Sequence, residues 1–217
     1  MTVGNSGRGF RWNPWIGIPL LGTIIRLMLV VGTHRPLKGA HDQLFYFIAA
    51  GNIAKGMGYT QISGVKTAYY PPGYPYFLGL LQTAANAIGL HNSLELVAGL
   101  TQSLLAAVMI WSVMKIAHGV MPDGEGMRAA VFAGCIVAFW PNLIAYSAVL
   151  LSEQLYITLV CLTAACTIEA YRSDDSTIRW RWMGIGAAAL SFAVVTRPQI
   201  LLWPIGLTIL LVLARRP

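Results

Sequence analysis

The stretch AYYPPGYPYFLGLL, Ala68–Leu81, decides how the rest of the chain is placed. It opens an apolar segment, Pro72–Leu90, with Pro71, Pro72 and Pro75 interleaved among Tyr69, Tyr70, Tyr74 and Tyr76. Prolines at 71 and 72 bar helix and push the residues before them into extended backbone. Gly73 then permits a tight turn. If this segment crosses a bilayer, every later residue lies on the opposite side from where it lies if the segment rests on the surface.

That a bilayer is involved follows from composition. The chain has 217 residues, 56% of them hydrophobic and only 11% charged, with a mean hydropathy of +0.62. A soluble core does not need that much apolar residue. Several runs approach the roughly 20 residues that cross about 30 Å of hydrocarbon. The expected class is all-α, a polytopic membrane helical bundle. The net charge of +7 is then topological, because Lys and Arg collect on cytoplasmic loops. No nucleic-acid motif or basic-aromatic stripe is present, so no nucleic acid partner is expected. Cys135, Cys161 and Cys166 lie inside apolar runs without a CxxC, and read as small apolar residues. Arg8 and Arg11 precede the run Pro14–Gly32. That run exceeds the 7–15 or so residues of a cleaved signal and contains Arg26, which makes it an uncleaved first span.

The apolar segments are Trp15–Val31, Pro72–Leu90, Leu94–Ala117, Ala129–Ala145, Ala148–Ala170, Trp182–Val195 and Ile200–Ala214. With Arg8 and Arg11 inside, a crossing at Pro72–Leu90 sends Lys115, Arg128, Arg172, Arg179, Arg181 and Arg215–Arg216 outside, against the positive-inside bias. If Pro72–Leu90 stays on the surface, all of these become cytoplasmic. Gln82, Asn86, Gly79 and Gly89 in that segment also suit a helix with one wet face. The expectation is a single membrane domain over residues 1–217, with about six transmembrane helices and both termini cytoplasmic. Residues 33–93 form a large external loop bearing two juxtamembrane helices. Long loops are uncommon unless they serve a function.

Within that loop, Asp42–Lys55 carries Leu44, Phe47, Ile48 and Gly51 at helical spacing, and Gly56 and Gly58 end it. This predicts an amphipathic helix at the outer interface. Asp42 suits the helix N-terminus. It is also the loop's one carboxylate ahead of Glu95, and an acid at the mouth of a membrane site is a natural general base. Arg35, Lys38 and Lys66 supply positive field for a phosphate or for anionic headgroups. His41 beside Asp42, without HxxxH or DxD spacing, assigns no metal; no cofactor is assigned, and a divalent metal is left open. Tyr69, Tyr70, Tyr74 and Tyr76 suit the headgroup layer, ring inward and hydroxyl outward. The rigid turn they share with the prolines can also form a catalytic wall or a lipid-phosphate clamp.

Three further charges lie at membrane depth or its edge. Glu153, in FWPNLIAYSAVLLSEQLY, is expected about one turn into the fourth span. A carboxylate there costs roughly 2.5–3.5 kcal/mol unless partnered, so it is a functional candidate or the partner of Arg26 or Arg197. Arg26 lies mid-span and must face protein. Arg197, in VVTRPQ, sits beside a proline break where a guanidinium can hold phosphate oxygens in pairs, or can simply snorkel.

Four motifs occur in order: GAHDQLFYFIAAGNIAKGMGY, AYYPPGYPYFLGLL, WPNLIAYSAVLLSEQLY and VVTRPQ. Together they resemble polyprenyl-phosphate-sugar-dependent glycosyltransferases of the GT-C superfamily, the group of protein O-mannosyltransferases and the lipid A aminoarabinose transferase. The resemblance runs from Arg26 to Arg197. It implies a membrane transferase of the cell envelope, in the plasma (inner) membrane with its active site outside. Such an enzyme moves a sugar from a polyprenyl-phosphate donor to an acceptor hydroxyl on a glycan, lipid or protein. By motif position, Asp42 resembles the essential acid of the first external loop and Glu153 the acid of the next external turn. Arg35, Lys38, Lys66, Tyr70, Tyr74 and Arg197 lie where substrate would be bound. Members of that family usually carry further spans and a further external region. The chain is therefore expected to correspond to the N-terminal membrane portion, with a partner membrane subunit as one possibility. The alternative function is a non-catalytic lipid-binding or scaffold subunit.

Overall fold

The computed structural model describes residues 12–33, 41–61, 63–91, 93–202 and 205. Arg35, Lys38 and most of the last apolar segment, Ile200–Ala214, lie outside these residues.

The described residues form an all-α bundle. Its helices are α1 (Pro14–Thr33), α2 (His41–Ala54), α3 (Gly73–Ala87), α4 (Leu94–Val120), α5 (Gly126–Phe139), α6 (Pro141–Ala145), α7 (Glu153–Arg172) and α8 (Ser176–Thr196). Short 3₁₀ turns follow α6 (Tyr146–Ala148) and α8 (Pro198–Leu201). The 27-residue α4 is the axis, packing on α1, α5 and α7, while α8 lies against α7. Small buried residues on α4, Ala98, Gly99, Ser103 and Ala106, allow the close approach by which helices associate in lipid.

Three helices, α1, α4 and α7, are long and apolar enough to cross a membrane. The number rises to four if α5 with the bent segment Pro141–Ala148 is one span. The six crossings expected from hydropathy are therefore not all present as such. Ala129–Ala145 is not one straight helix but bends by 58° at Trp140–Pro141. The cause is in the sequence: Pro141 forces Trp140 to extended backbone, φ −68° and ψ 117°, which ends α5. α8 is long enough, but Arg179 and Arg181 near its start depress its hydropathy below that of a span.

The bend explains Arg26. Its side chain is fully buried. Nη1 donates to the carbonyls of Gly22 (2.8 Å) and Ala138 (3.0 Å), and Nη2 to that of Val137 (3.0 Å). Helix α5 stops at Phe139, so its last carbonyls lack helical partners. A cation is the favoured occupant of a helix C-terminus. Arg26 thus pairs with backbone and leaves Glu153 to another partner.

Helix α2 is turned from its expected face. Tyr46, Ala49 and Ala50 are buried, whereas Leu44 is exposed. The closeness of α3 decides this. A Cβ on Gly79 of α3 would come within 2.5 Å of Ile53, so the missing side chain there lets α3 close onto the face of α2 that carries Ala49, Ala50 and Ile53. Gly56, at φ +77°, closes the helix: Met57 N–H donates to Asn52 O and Gly56 N–H to Ile53 O. Helix α3 has 15 residues, about 22 Å at 1.5 Å each, and is too short to cross.

Candidate functional site

The prolines after Tyr70 set the geometry. The segment 59–67 folds back on itself through a Thr60–Lys66 bridge, tied to α2 by Asn52 Nδ2 to Thr60 Oγ1 at 2.9 Å. Tyr59 donates its hydroxyl to the Tyr70 carbonyl at 2.9 Å. This fixes Tyr70, whose own hydroxyl donates to Asp42 Oδ1 at 2.6 Å. Gly73 then begins α3 hard against the end of α8: a Cβ there would meet Val195 O, Thr196 N and Thr196 Oγ1 at 2.7 Å. The tight approach of Gly73 brings the tyrosine loop beside Arg197.

Arg197 follows Thr196 in extended backbone, φ −150° and ψ 111°, as the residue before Pro198 must. Its Nε donates to Ser152 Oγ at 3.0 Å, its Nη2 pairs with Glu153 Oε1, and its guanidinium lies over the Tyr156 ring. Glu153 is the first residue of α7, where a carboxylate faces the positive end of the helix dipole. The expected position one turn into a span is corrected, because Val149–Ser152 are not α-helical. Gln102 of α4 holds that stretch: its Nε2 donates to Val149 O at 3.0 Å and to Ser147 O at 3.3 Å. Its Oε1 accepts the Tyr74 hydroxyl at 2.9 Å.

Between the two carboxylates stands Tyr46, one helical turn after Asp42. It is buried against Tyr70 (5.3 Å between ring centroids) and Tyr74 (4.9 Å). Burial raises its phenol pKa; Ser152 and the charge of Arg197 oppose the rise, while Asp42 and Glu153 add to it. Tyr70 is pushed up to about 12, first by its bond to Asp42 and then by desolvation. Both phenols are thus neutral at physiological pH, and that of Tyr70 donates to Asp42. The second oxygen of Glu153, Oε2, is buried without a hydrogen-bond partner among the described residues.

Asp42, Tyr70, Glu153 and Arg197 come together from four separate segments. Beside them runs an open groove of about 430 Å³, lined by Tyr59, Thr67, Tyr69, Tyr70, Val195 and Pro198 among others. Asp42 itself is exposed. Lys66 is exposed on its turn and, among the described residues, makes no hydrogen bond or ion pair with the cluster. Arg35 and Lys38 lie outside the described residues. Tyr74 is corrected: it is fully buried with its hydroxyl on Gln102, so it is a packing residue with no face for substrate. Its position one residue after Gly73 carries it inward as α3 starts. Tyr46 and Ser152 were not anticipated. Tyr46's spacing of four from Asp42 was the available signal; Ser152 had only its place next to Glu153.

No cluster of three or more His, Cys, Asp or Glu able to hold a metal occurs among the described residues. The three cysteines are free. Comparison with family models, with curated proteins and with solved structures yields no match to this chain.

Proposed function

We propose that this chain is a membrane glycosyltransferase acting at the outer face of the plasma (inner) membrane. It would transfer a sugar from a polyprenyl-phosphate donor to an acceptor hydroxyl. The observation that carries the reading is the convergence of Asp42, Tyr70, Glu153 and Arg197 beside an aromatic groove. In the corresponding topology, α1, α4, α5 with its bent continuation, α7, α8 and the segment 200–214 make six crossings. Both termini are cytoplasmic, and α2 and α3 lie on the outer surface.

Asp42 takes the acceptor's proton, a contribution of typically 10²–10⁴-fold. The freed oxygen attacks the anomeric carbon as the bond from that carbon to the phosphate oxygen breaks, with inversion. The electron pair leaves on the lipid phosphate. Tyr70 orients Asp42, and Arg197 meets the growing phosphate charge, with Lys66 as a second cation. Glu153 holds Arg197 in place and offers Oε2 to a donor hydroxyl.

The test is transfer from a radiolabelled polyprenyl-phosphate sugar by the purified chain in lipid. Asp42→Asn abolishes transfer while insertion and yield stay normal; full activity in that variant rules the assignment out. The second reading, a non-catalytic lipid-binding or scaffold subunit, draws on one fact: Arg197 is already engaged by Ser152 and Glu153. Donor retention without transfer, alone and with added membrane extract, favours it.

A further inference from the structure

We propose that the trench between α7 and α8, at the end of the bundle remote from Asp42, binds an anionic phospholipid. One acyl chain lies along α8 and the phosphate sits on Arg179. The trench encloses about 570 Å³ and is lined by Thr163, Ala170, Trp182, Ala187 and Leu190, with Arg179 at its mouth. Its floor exists because the helices nearly touch at Gly186, where a Cβ would lie 3.0 Å from Cys166 Cβ.

Its chemistry is that of a lipid tail site. The threonine hydroxyls on its wall are spent on their own helix: Thr163 donates to Leu159 O at 2.8 Å and Thr167 to Thr163 O at 2.9 Å. Away from Arg179 and Tyr171 at the mouth, the wall therefore offers an apolar surface. From Arg179 to Leu190 the trench follows eleven residues of α8, about 16 Å at 1.5 Å each, close to half of a hydrocarbon layer of about 30 Å. That is the depth of one leaflet. The mouth lies at interfacial level, marked by Trp182 stacked on Trp111 and by the exposed Trp180.

Charge selects the headgroup. Among the described residues, exposed Arg179 uses only Nε and Nη2, both on Ser173 O, which leaves its Nη1 edge for phosphate oxygens. Arg181 is exposed nearby. Of the two acids in the same loop, Asp175 caps α8 through the Thr177 and Ile178 amides and Asp174 is exposed, so Arg172, Arg179 and Arg181 outnumber them. Basic pockets between spans on the cytoplasmic side are sites for anionic headgroups. The inference rests on the membrane-spanning reading but not on glycosyl transfer, and its test measures no activity.

The purified full chain in detergent, given equimolar phosphatidylglycerol and phosphatidylcholine, is read by native mass spectrometry. Phosphatidylglycerol is retained about fivefold over phosphatidylcholine, the ratio corresponding to about 1 kcal/mol for one basic residue near the surface. Arg179→Gln removes the preference, and Ala187→Trp, a change at an exposed position, removes retention of both lipids. Equal retention by the unaltered chain overturns the proposal, as does unchanged preference in Arg179→Gln. Ala187→Cys that cross-links to a second copy, or to a cysteine placed within residues 206–214, would show a protein occupant and overturn it too.

Discussion

Both ends of α7 carry a carboxylate paired with a cation from elsewhere in the chain. At one end Glu169 takes Lys115 of α4 at 3.3 Å; at the other Glu153 takes Arg197. The two carboxylates are sixteen residues apart on one helix, about 24 Å. Their chemistry is alike and their surroundings are not. Lys115 lies 5.2 Å from the Trp15 ring and 5.5 Å from the Trp111 ring, with Trp182 stacked behind. That collar lines one side of the pair with indole rings, although both pairs stay partly open to solvent. The Arg197 pair leaves Glu153 Oε2 without a partner among the described residues and borders Tyr46, Asp42, Tyr70 and an open groove. A pair set against indole rings anchors a helix. A pair with capacity left over beside a groove is where chemistry can be sought.

Removing each cation is the strongest way to break the comparison. On the transferase reading, Arg197→Ala lowers transfer by about 10²–10³-fold, the effect of deleting one donor that meets charge in a transition state. Lys115→Ala leaves transfer within about twofold and lowers stability by about 1 kcal/mol, the scale of an exposed ion pair with cation–π support. Radiolabel transfer and thermal unfolding read the two effects separately. Equal losses of transfer would mean that the two ends do not differ in kind.

Glycines at the two ends sharpen the contrast at the level of packing. Gly73→Ala drives a Cβ into Val195 and Thr196 backbone, a rigid neighbour, and costs about 1–3 kcal/mol of stability. Gly184→Ala, in α8 toward the opposite end, meets nothing within 4 Å. It stabilises by up to about 1 kcal/mol through helix propensity. The opposite signs appear in melting temperature. If Gly73→Ala melts like the unaltered chain, the tyrosine loop is not locked to α8 and its place beside Arg197 is adjustable.

How far this was legible in the sequence follows from the forces involved. Helices and their apolar character were readable because hydropathy and spacing are local. The break at Trp140–Pro141 was also written there, and was read through because hydropathy runs across it unbroken. The bend releases carbonyls that then account for Arg26, a partner choice no charge count could reveal. The face of α2 was misjudged because large apolar residues were weighted above small ones. In close helix pairs Ala49 and Ala50 go inward because backbones can approach there. Asp42, Glu153 and Arg197 stood out because charges near membrane are rare. Tyr46 and Ser152 did not, since their role exists only once α2, α7 and α8 meet.

The smallest effect concerns Tyr70, the residue that ties the opening stretch to Asp42. Its pKa is pushed up to about 12 chiefly because its hydroxyl donates to Asp42. An ordinary tyrosine in the unfolded chain titrates near about 10. The neutral form is thus favoured in the fold, and its stabilisation is fully present below about pH 10 and lost as pH rises through about 12. Tyr70→Phe lacks this bond at every pH. The melting temperature of the unaltered chain therefore exceeds that of Tyr70→Phe by a constant, small margin from about pH 7 to 9. The margin shrinks toward zero above the range of the shifted pKa. It stays small because the bond is open to solvent, where such interactions are worth little. A margin that widens above about pH 10 would mean that the phenolate, not the phenol, is the bonded form. No margin at any pH would mean that Asp42 is not held by the tyrosine loop, and the Glu153 end of α7 would lose the feature that most separates it from the Lys115 end.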